Sequence, residues 1–312
     1  MFRLAHLSDP HVPPDARPRR RELLSKRALG WAHWRRRRQR IHRREMLDLI
    51  TGDLADQPVD HIAVTGDLTI VSSRAEWEAC RQWLATLGSP QDVSLVPGNH
   101  DAYTRRAVPA TARAWKDYMS DDAALAEYTS AEFPYLRRRG PVAIIGCSSA
   151  VATAPFLATG RVGRRQRARI EALLEGLAES GLFRVVLIHH PPLRIAGDRY
   201  RRLTDWREFN DMIARTGAEL VLHGHDHAAQ LRWMAGTAHA VPVIGVPSAS
   251  ARAHAGKPAA QYNIYEVSGE MGRWSCTMHT RGFDSDAIRL LASEPLWQDG
   301  KPVASDALTA KR

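Results

Sequence analysis

Five short stretches of the chain group side chains that can ligate metals: Asp9-Pro10-His11, Gly66-Asp67, Gly98-Asn99-His100-Asp101, His189-His190 and His223-Gly224-His225-Asp226-His227. Carboxylates, a carboxamide and imidazoles make a mixed nitrogen and oxygen donor set. Such a set suits Mn, Fe, Zn or Co better than Ca or Mg. A single histidine on a strand is usually a satisfied polar group; five groups of this kind in one chain call for a common explanation. The tetrapeptide Thr-Gly-Asp-Leu occurs twice, at 51–54 and 65–68, so its two aspartates must be told apart.

The elements around these groups separate them. Short, nearly continuous apolar runs predict strands buried on both faces at 2–9, 61–67, 93–98, 142–147, 183–190 and 218–224, with later strands at 240–247, 262–267 and 274–280. Helical spacing predicts helices over 74–88 and 164–181, each closed by a glycine. Every donor group lies at or just past a predicted strand's C-terminal end, where open α/β sheets place their sites. Asp67 follows the strand at 61, whereas Asp53 follows the helical pattern of Met46, Leu49 and Ile50. Asp67 is therefore the chemical candidate, and Asp53 is expected in a surface or capping role.

Taken in order, the groups resemble the D-x-H, G-D, G-N-H-D/E, H and G-H-x-H pattern of the calcineurin-like metallophosphoesterase superfamily over about residues 1 to 280. The resemblance implies a four-layer αββα sandwich, two mixed β-sheets flanked by helices, with a dinuclear metal site at the strand ends. It implies a first cation held by Asp9, His11, Asp67 and His227 and a second held by Asp67, Asn99, His189 and His225, with Asp67 bridging. His100 would face the leaving oxygen, stabilising charge or giving a proton, and Asp101 would orient it. Two cations so placed clamp a phosphate and acidify a bridging water that attacks phosphorus. His190 and His223 are expected outside the ligand set, with Asp226 pointing away.

The "HHPP" and "GHDH" stretches further resemble a bacterial branch that includes cyclic-nucleotide and glycerophosphodiester phosphodiesterases. The expected activity is a phosphodiesterase or pyrophosphatase acting on a phosphodiester or nucleotide-type substrate. A UDP-diacylglucosamine-type lipid pyrophosphatase, a nuclease and a non-catalytic scaffold are the competing readings.

The net charge of +10 over 312 residues is local in origin. Between Arg17 and Arg44 there are thirteen Lys or Arg and one acid, Glu22, a net of +12, so the remainder sums to −2. This insert, 14–45, also carries Trp31 and Trp34. It is open to three readings: a basic surface with a packed seam, a segment for an anionic membrane surface, or a surface for nucleic acid or polyphosphate. Exposed tryptophans would favour the membrane. The groups Arg137–Arg139 and Arg161, Arg164 and Arg165 are candidates to reach substrate phosphates or plain surface. Cys80, Cys147 and Cys276 are too scattered for a metal site and read as buried free thiols. No run of about 18 apolar residues and no leader-like start occur, so the expected location is the cytoplasm, with the inner membrane face as a further option. The phosphoesterase domain is expected over 1–292, with a helical insertion at 103–135 beside the site and a C-terminal surface extension over 293–312.

Overall fold

Strands that bury both faces need a layer on each side, and this chain supplies two sheets and two helical layers. The computed structural model describes residues 1–14, 17–123, 132–194 and 199–303. In the first sheet β1 (Phe2–Leu7), β2 (His61–Val64) and β3 (Val93–Leu95) run parallel. On the other side of β1 the sheet continues antiparallel through β10 (Gln261–Ser268), β11 (Ser275–Asp284), β12 (Ala287–Gln298) and β13 (Lys301–Pro302).

The second sheet runs in the order β4 (Tyr135–Arg139), β5 (Val142–Gly146), β6 (Phe183–Leu187), β7 (Leu220–His223), β9 (Val241–Gly245) and β8 (Gln230–Met234). Its centre, β5 to β9, is parallel, and the two outer strands are antiparallel.

Alternation along the strands decides which layer each side chain joins. Val185, Leu187, Leu220 and Leu222 face the first sheet and share a buried cluster with Leu4, Tyr265 and Cys276 on its inner face. Val186, Ile188 and Val221 face the other way, under Ile170 and Leu174 of α5 (Arg164–Gly176) and Phe209, Met212 and Ile213 of α6 (Trp206–Thr216). Met46, Leu47 and Ile50 of α2 (Arg44–Ala55) and Cys80, Trp83 and Leu84 of α3 (Arg74–Leu87) cover the first sheet. The result is the αββα sandwich that the sequence led us to expect. All three cysteines are buried and free. Among the described residues no helix is long and apolar enough to cross a membrane.

Three expectations need correction. β12 runs straight through the 292/293 boundary, and Leu296 and Trp297 are buried in the core, so 293–303 belongs to the first sheet rather than to a surface extension. The stretch 103–135 is helical at α4 (Ala107–Ala114) and in the 3-10 turn Lys116–Met119, β4 begins at Tyr135, and 124–131 lies outside the described residues. Arg137 is fully buried: its guanidinium donates to the carbonyls of Pro90, Val93, Asp117 and Ser120 at 2.6–2.8 Å, so it braces the β3–β4 region instead of reaching for phosphate. Arg139 is likewise engaged, by Asp122 at 2.8 Å.

The insert has the packed seam of the first of its three readings. α1 (Arg27–Arg36) seats Trp34, 3% exposed, and half-buried Trp31 against Ile70, Val71 and Tyr103. Gly30 makes this seating possible, because a Cβ there would collide with the Tyr103 hydroxyl. Arg27 donates to the carbonyls of Val71 and Ser72 at 2.9 and 2.7 Å. The tryptophans are therefore a packed seam and not an exposed apolar anchor, while Arg35, Arg36 and Arg37 remain on the surface.

Asp53 proves to be a strut inside α2. It accepts two hydrogen bonds from Arg281 at 2.7 and 2.8 Å and one from the Tyr262 hydroxyl at 2.5 Å, tying the helix to β10 and β11. Charge-assisted bonds of this type contribute about 1.5–3 kcal/mol each before solvent screening. Asp53→Ala is expected to lower the melting temperature measurably while leaving metal content unchanged. Thermal unfolding with metal analysis checks this, and loss of metal in the variant would contradict it.

Candidate metal centre

Parallel strands deliver the donors. Asp9 and His11 follow β1, Asp67 follows β2, and Asn99 and His100 follow β3. His189 follows β6, and His225 and His227 follow β7. Both sheets thus end at one place, and the seven expected ligands converge there. The backbone turns sharply at each delivery. Asp9, His11, Asp67, His225 and His227 all have positive φ, between 38° and 72°, and are half of the ten non-glycine residues that do so among those described. Such conformations cost on the order of 1 kcal/mol or more each and persist where the surroundings over-determine them. Gly98 is required for a different reason: a Cβ there would collide with the Asp67 carboxylate.

The donors fall into two neighbourhoods. In one, His227 Nε2 lies 3.1 Å from Asp9 Oδ1 and 3.4 Å from His11 Nε2. In the other, His189 Nε2 lies 3.2 Å from Asn99 Oδ1, 3.2 Å from His225 Nδ1 and 3.4 Å from Asp67 Oδ2. Asp67 belongs to both sides, since its ligand atoms fall within 4.8 Å of His11 and His100 in one set and of Asp9 and His189 in another. Its Oδ1 also accepts the His100 backbone N–H at 2.7 Å.

These groups fit cations. His225 Nε2 is buried without a hydrogen-bond partner. Imidazole nitrogens face one another at hydrogen-bond distance, which is favourable only if a proton or a metal ion lies between lone pairs. Two buried carboxylates sit among these rings. Metal-bound histidines characteristically give their other ring N–H to a carbonyl. Here Nδ1 of His11 donates to Thr69 O at 3.0 Å and Nδ1 of His189 to Thr65 O at 2.7 Å.

The electrostatics are correspondingly polarised. Burial alone would raise the Asp9 carboxyl, but His227 holds it below the usual carboxylate range. Asp67 is held down in the same way, by His189 and His100 against its burial. Burial disfavours charge on His189, yet Asp67 overrides it and lifts the imidazole to about 9. Burial pushes His11 and His225 well below the ordinary histidine value.

His100 lies at the rim of the group. Its Nδ1 donates to Ile70 O at 2.5 Å, and its Nε2 accepts from Arg38 at 3.0 Å. Asp101 does not orient it, contrary to the expectation from sequence. The Asp101 carboxylate instead accepts the backbone N–H groups of Gly98 at 2.9 Å, Thr69 at 2.9 Å and Leu68 at 3.3 Å, stitching the β3 loop to the β2 loop. Burial and the nearby Asp67 raise Asp101 to about 7.

The remaining expected bystanders keep to the margin. His190 uses both ring nitrogens, on Ser149 Oγ and Ala158 O. His223 uses Nδ1 on Gly224 O, and Asp226 accepts from Gln230.

Several residues beside the centre carried no sequence signal. Arg38 and His42 come from the insert, hidden among its other arginines. Arg201 donates to His225 O at 2.9 Å and Lys257 to Asp226 O at 2.7 Å, placing two more cations on the rim. The spacing of these four residues from the strand-end motifs is irregular, and only the fold brings them in.

Comparison with known proteins gives a consistent picture. The family described as calcineurin-like phosphoesterase matches residues 2–229. The chain is 25% identical over 242 residues to a probable cyclic nucleotide phosphodiesterase of Synechococcus, covering 77% of this chain and 83% of that one. A dimetal phosphatase from Danio rerio superposes with a TM-score of 0.59 at 13% identity, covering 93% of this chain and 99% of the other. The purple acid phosphatase PPD1 of yellow lupin superposes with a TM-score of 0.53 at 12% identity over 94% of this chain and 53% of its own. These two likenesses concern the fold.

Because His189 titrates near 9 without a cation, it holds a proton at neutral pH that a metal must displace. Metal binding at pH 7.5 is therefore expected to release about one proton or more, and the release from His189 should fade above pH 9. Calorimetry in buffers of different ionisation enthalpy measures this directly. Binding without proton release at pH 7.5 would contradict the assignment of charge to His189.

Proposed function

The chain belongs to the calcineurin-like phosphoesterase family, and on that premise we propose that it is a two-metal phosphodiesterase acting on a small soluble phosphodiester of the nucleotide class. The observation that carries this reading is the convergence of two donor neighbourhoods on Asp67. Asp9, His11, Asp67 and His227 would hold one ion, and Asp67, Asn99, His189 and His225 the other. Bound together, two divalent cations supply Lewis acidity toward a phosphoryl oxygen and toward a water nucleophile.

The chain's own residues do the rest. Asp67 keeps its second oxygen on the His100 backbone, which fixes the β3 loop relative to both ion positions. His100 Nε2 faces outward because Nδ1 is anchored on Ile70 O. Beside it, Arg38 is always charged and can stabilise negative charge on a leaving oxygen; His100, whose Nε2 accepts from Arg38 in the free protein, would join it only with a proton on that nitrogen. Arg201 and Lys257 extend the positive rim and would hold the non-reacting phosphate oxygens. No protein nucleophile is required for direct attack by water.

Two considerations favour a soluble diester over a lipid. The Synechococcus relative is named as a probable cyclic nucleotide phosphodiesterase, and the tryptophans of the insert are packed inward. The experiment compares initial rates, with Mn²⁺, Fe²⁺, Zn²⁺ or Co²⁺ added, on a cyclic nucleotide, a UDP-linked diacyl sugar in mixed micelles and a single-stranded oligonucleotide. Preference for the cyclic nucleotide is expected. Preference for the lipid or the oligonucleotide overturns the substrate class and leaves the metal chemistry standing. His100→Ala is expected to lower kcat by roughly 10²–10⁴-fold with the metals retained, and Asp67→Ala to lose both metals and turnover. A His100→Ala enzyme with unchanged kcat would remove His100 from the reaction.

A further inference from the structure

The insert brings one more imidazole to the centre. We propose that His42 is an additional ligand at the ion position formed by Asp9, His11 and His227, so that the Arg-rich insert is a structural part of the metal centre. The proposal rests on the two-metal reading above.

His42 is buried, 3% exposed, in the turn between the 3-10 helix Arg38–Arg40 and α2. Its ring stacks on Trp34 with centroids 5.7 Å apart. It meets His11 edge-on at 4.6 Å and His227 edge-on at 5.3 Å. One ligand atom from each of His11, His42 and His227 falls within a common 4.8 Å. Donors around a single ion, with metal–nitrogen bonds of about 2.0–2.1 Å, lie within that distance of one another.

The tautomer can be argued from the neighbours. Ser248 Oγ donates its hydrogen to the Asp9 carbonyl at 2.6 Å. Toward His42 it can then only accept, and His42 Nδ1 lies 3.3 Å away. Ser250 Oγ lies 3.0 Å from the same Nδ1. With Nδ1 engaged by these two hydroxyls, Nε2 is the ring nitrogen left for the space shared with His11 and His227, and a proton given from Nδ1 to Ser248 Oγ would leave it the lone pair a metal needs. His11 and His189 have the same arrangement, with Nδ1 given to an oxygen.

The backbone fixes His42 as firmly as it fixes the strand-end ligands. His42 pairs with Ala251, Arg43 N donates to Ser250 O at 2.8 Å, and Arg252 N donates to Ile41 O at 2.9 Å. Ser248 grips both Asp9 and His42, so the extra ring and the first carboxylate share one support. Three ring nitrogens brought to one space beside the Asp9 carboxylate fit an ion better than packing alone. A third imidazole also makes this position richer in nitrogen than the Asp67–Asn99–His189 side, which favours Zn, Fe or Co there over Mg or Ca.

The test is metal binding, independent of turnover. Wild type, His42→Phe and His42→Gln are loaded with Zn²⁺ or Co²⁺, dialysed against a graded chelator and analysed for bound metal, with near-ultraviolet circular dichroism to confirm folding. Wild type should hold two ions. Either folded variant should lose one of them at about 10–100-fold lower chelator strength, while the other ion stays. Cobalt-loaded wild type gives a readout that needs no variant: a paramagnetically shifted imidazole N–H beyond those of His11, His189, His225 and His227. Retention of both ions at wild-type affinity in a folded variant, or absence of the extra resonance, overturns the proposal. A wild-type protein that binds no pair of ions would instead overturn the two-metal reading on which it rests.

Discussion

Asp67 holds a negative charge in the seam between two sheets, with almost no access to water. An unpaired carboxylate there would be prohibitively expensive. The structure answers by surrounding it with partners of the opposite tendency: His189 at 3.4 Å from Oδ2, the His100 N–H at 2.7 Å from Oδ1, and the His11 ring nearby. These partners come from β1, β3 and β6, so the charge can be satisfied only when both sheets are in register. The site is thus the place where the two halves of the sandwich are made to agree.

Strain and bracing follow from that constraint. Five residues around the carboxylates turn through positive φ to aim their side chains inward. Two further carboxylates hold the loops that do the turning. Asp101 collects N–H groups from Gly98, Leu68 and Thr69, and Glu76 takes those of Ile70 at 2.6 Å, Val71 at 3.1 Å and Ser73 at 2.7 Å. Because Ile70 also supplies the carbonyl that anchors His100, Glu76 positions that ring from one layer further out. Buried acids whose oxygens are filled by backbone donors act as rigid fasteners here rather than as reagents.

The legible part of the molecule was the part written locally. Apolar runs buried on both faces marked the parallel strands, and the polar groups that end them marked Asp9, Asp67, Asn99 and the histidines as neighbours. What escaped was written over long distances. Arg137 looked like surface charge because the carbonyls that cap it lie up to 47 residues away in the chain. β12 carries exposed and half-buried residues in irregular blocks along an outer part of the sheet, and its pairing with β11 has two register shifts, so no period of two is legible before Leu296 and Trp297. The seam of Trp31 and Trp34 and the inward turn of His42 depend on Ile70, Val71, Tyr103, Ser248 and Ser250, which no local pattern connects to the insert. A capping pair, Ser73 with Glu76, was readable as S-x-x-E and would have pointed to the Glu76 clamp.

The strand order of the first sheet also bears on how the chain is made. Of the described strands β1 is synthesised before the others, and one of its neighbours, β2, follows within about sixty residues. Its other neighbour is β10, Gln261–Ser268, near the far end of the chain. On the ribosome, the segment bearing Asp9 and His11 must therefore wait with an unpaired flank until β10 has emerged. An open apolar edge of that kind invites pairing with other nascent chains. The closing contact is among the longest-range in the molecule, and such contacts form slowly. The donors of the centre are likewise spread along the chain, from Asp9 to His227, so they are complete only when β7 and the turn after it have emerged.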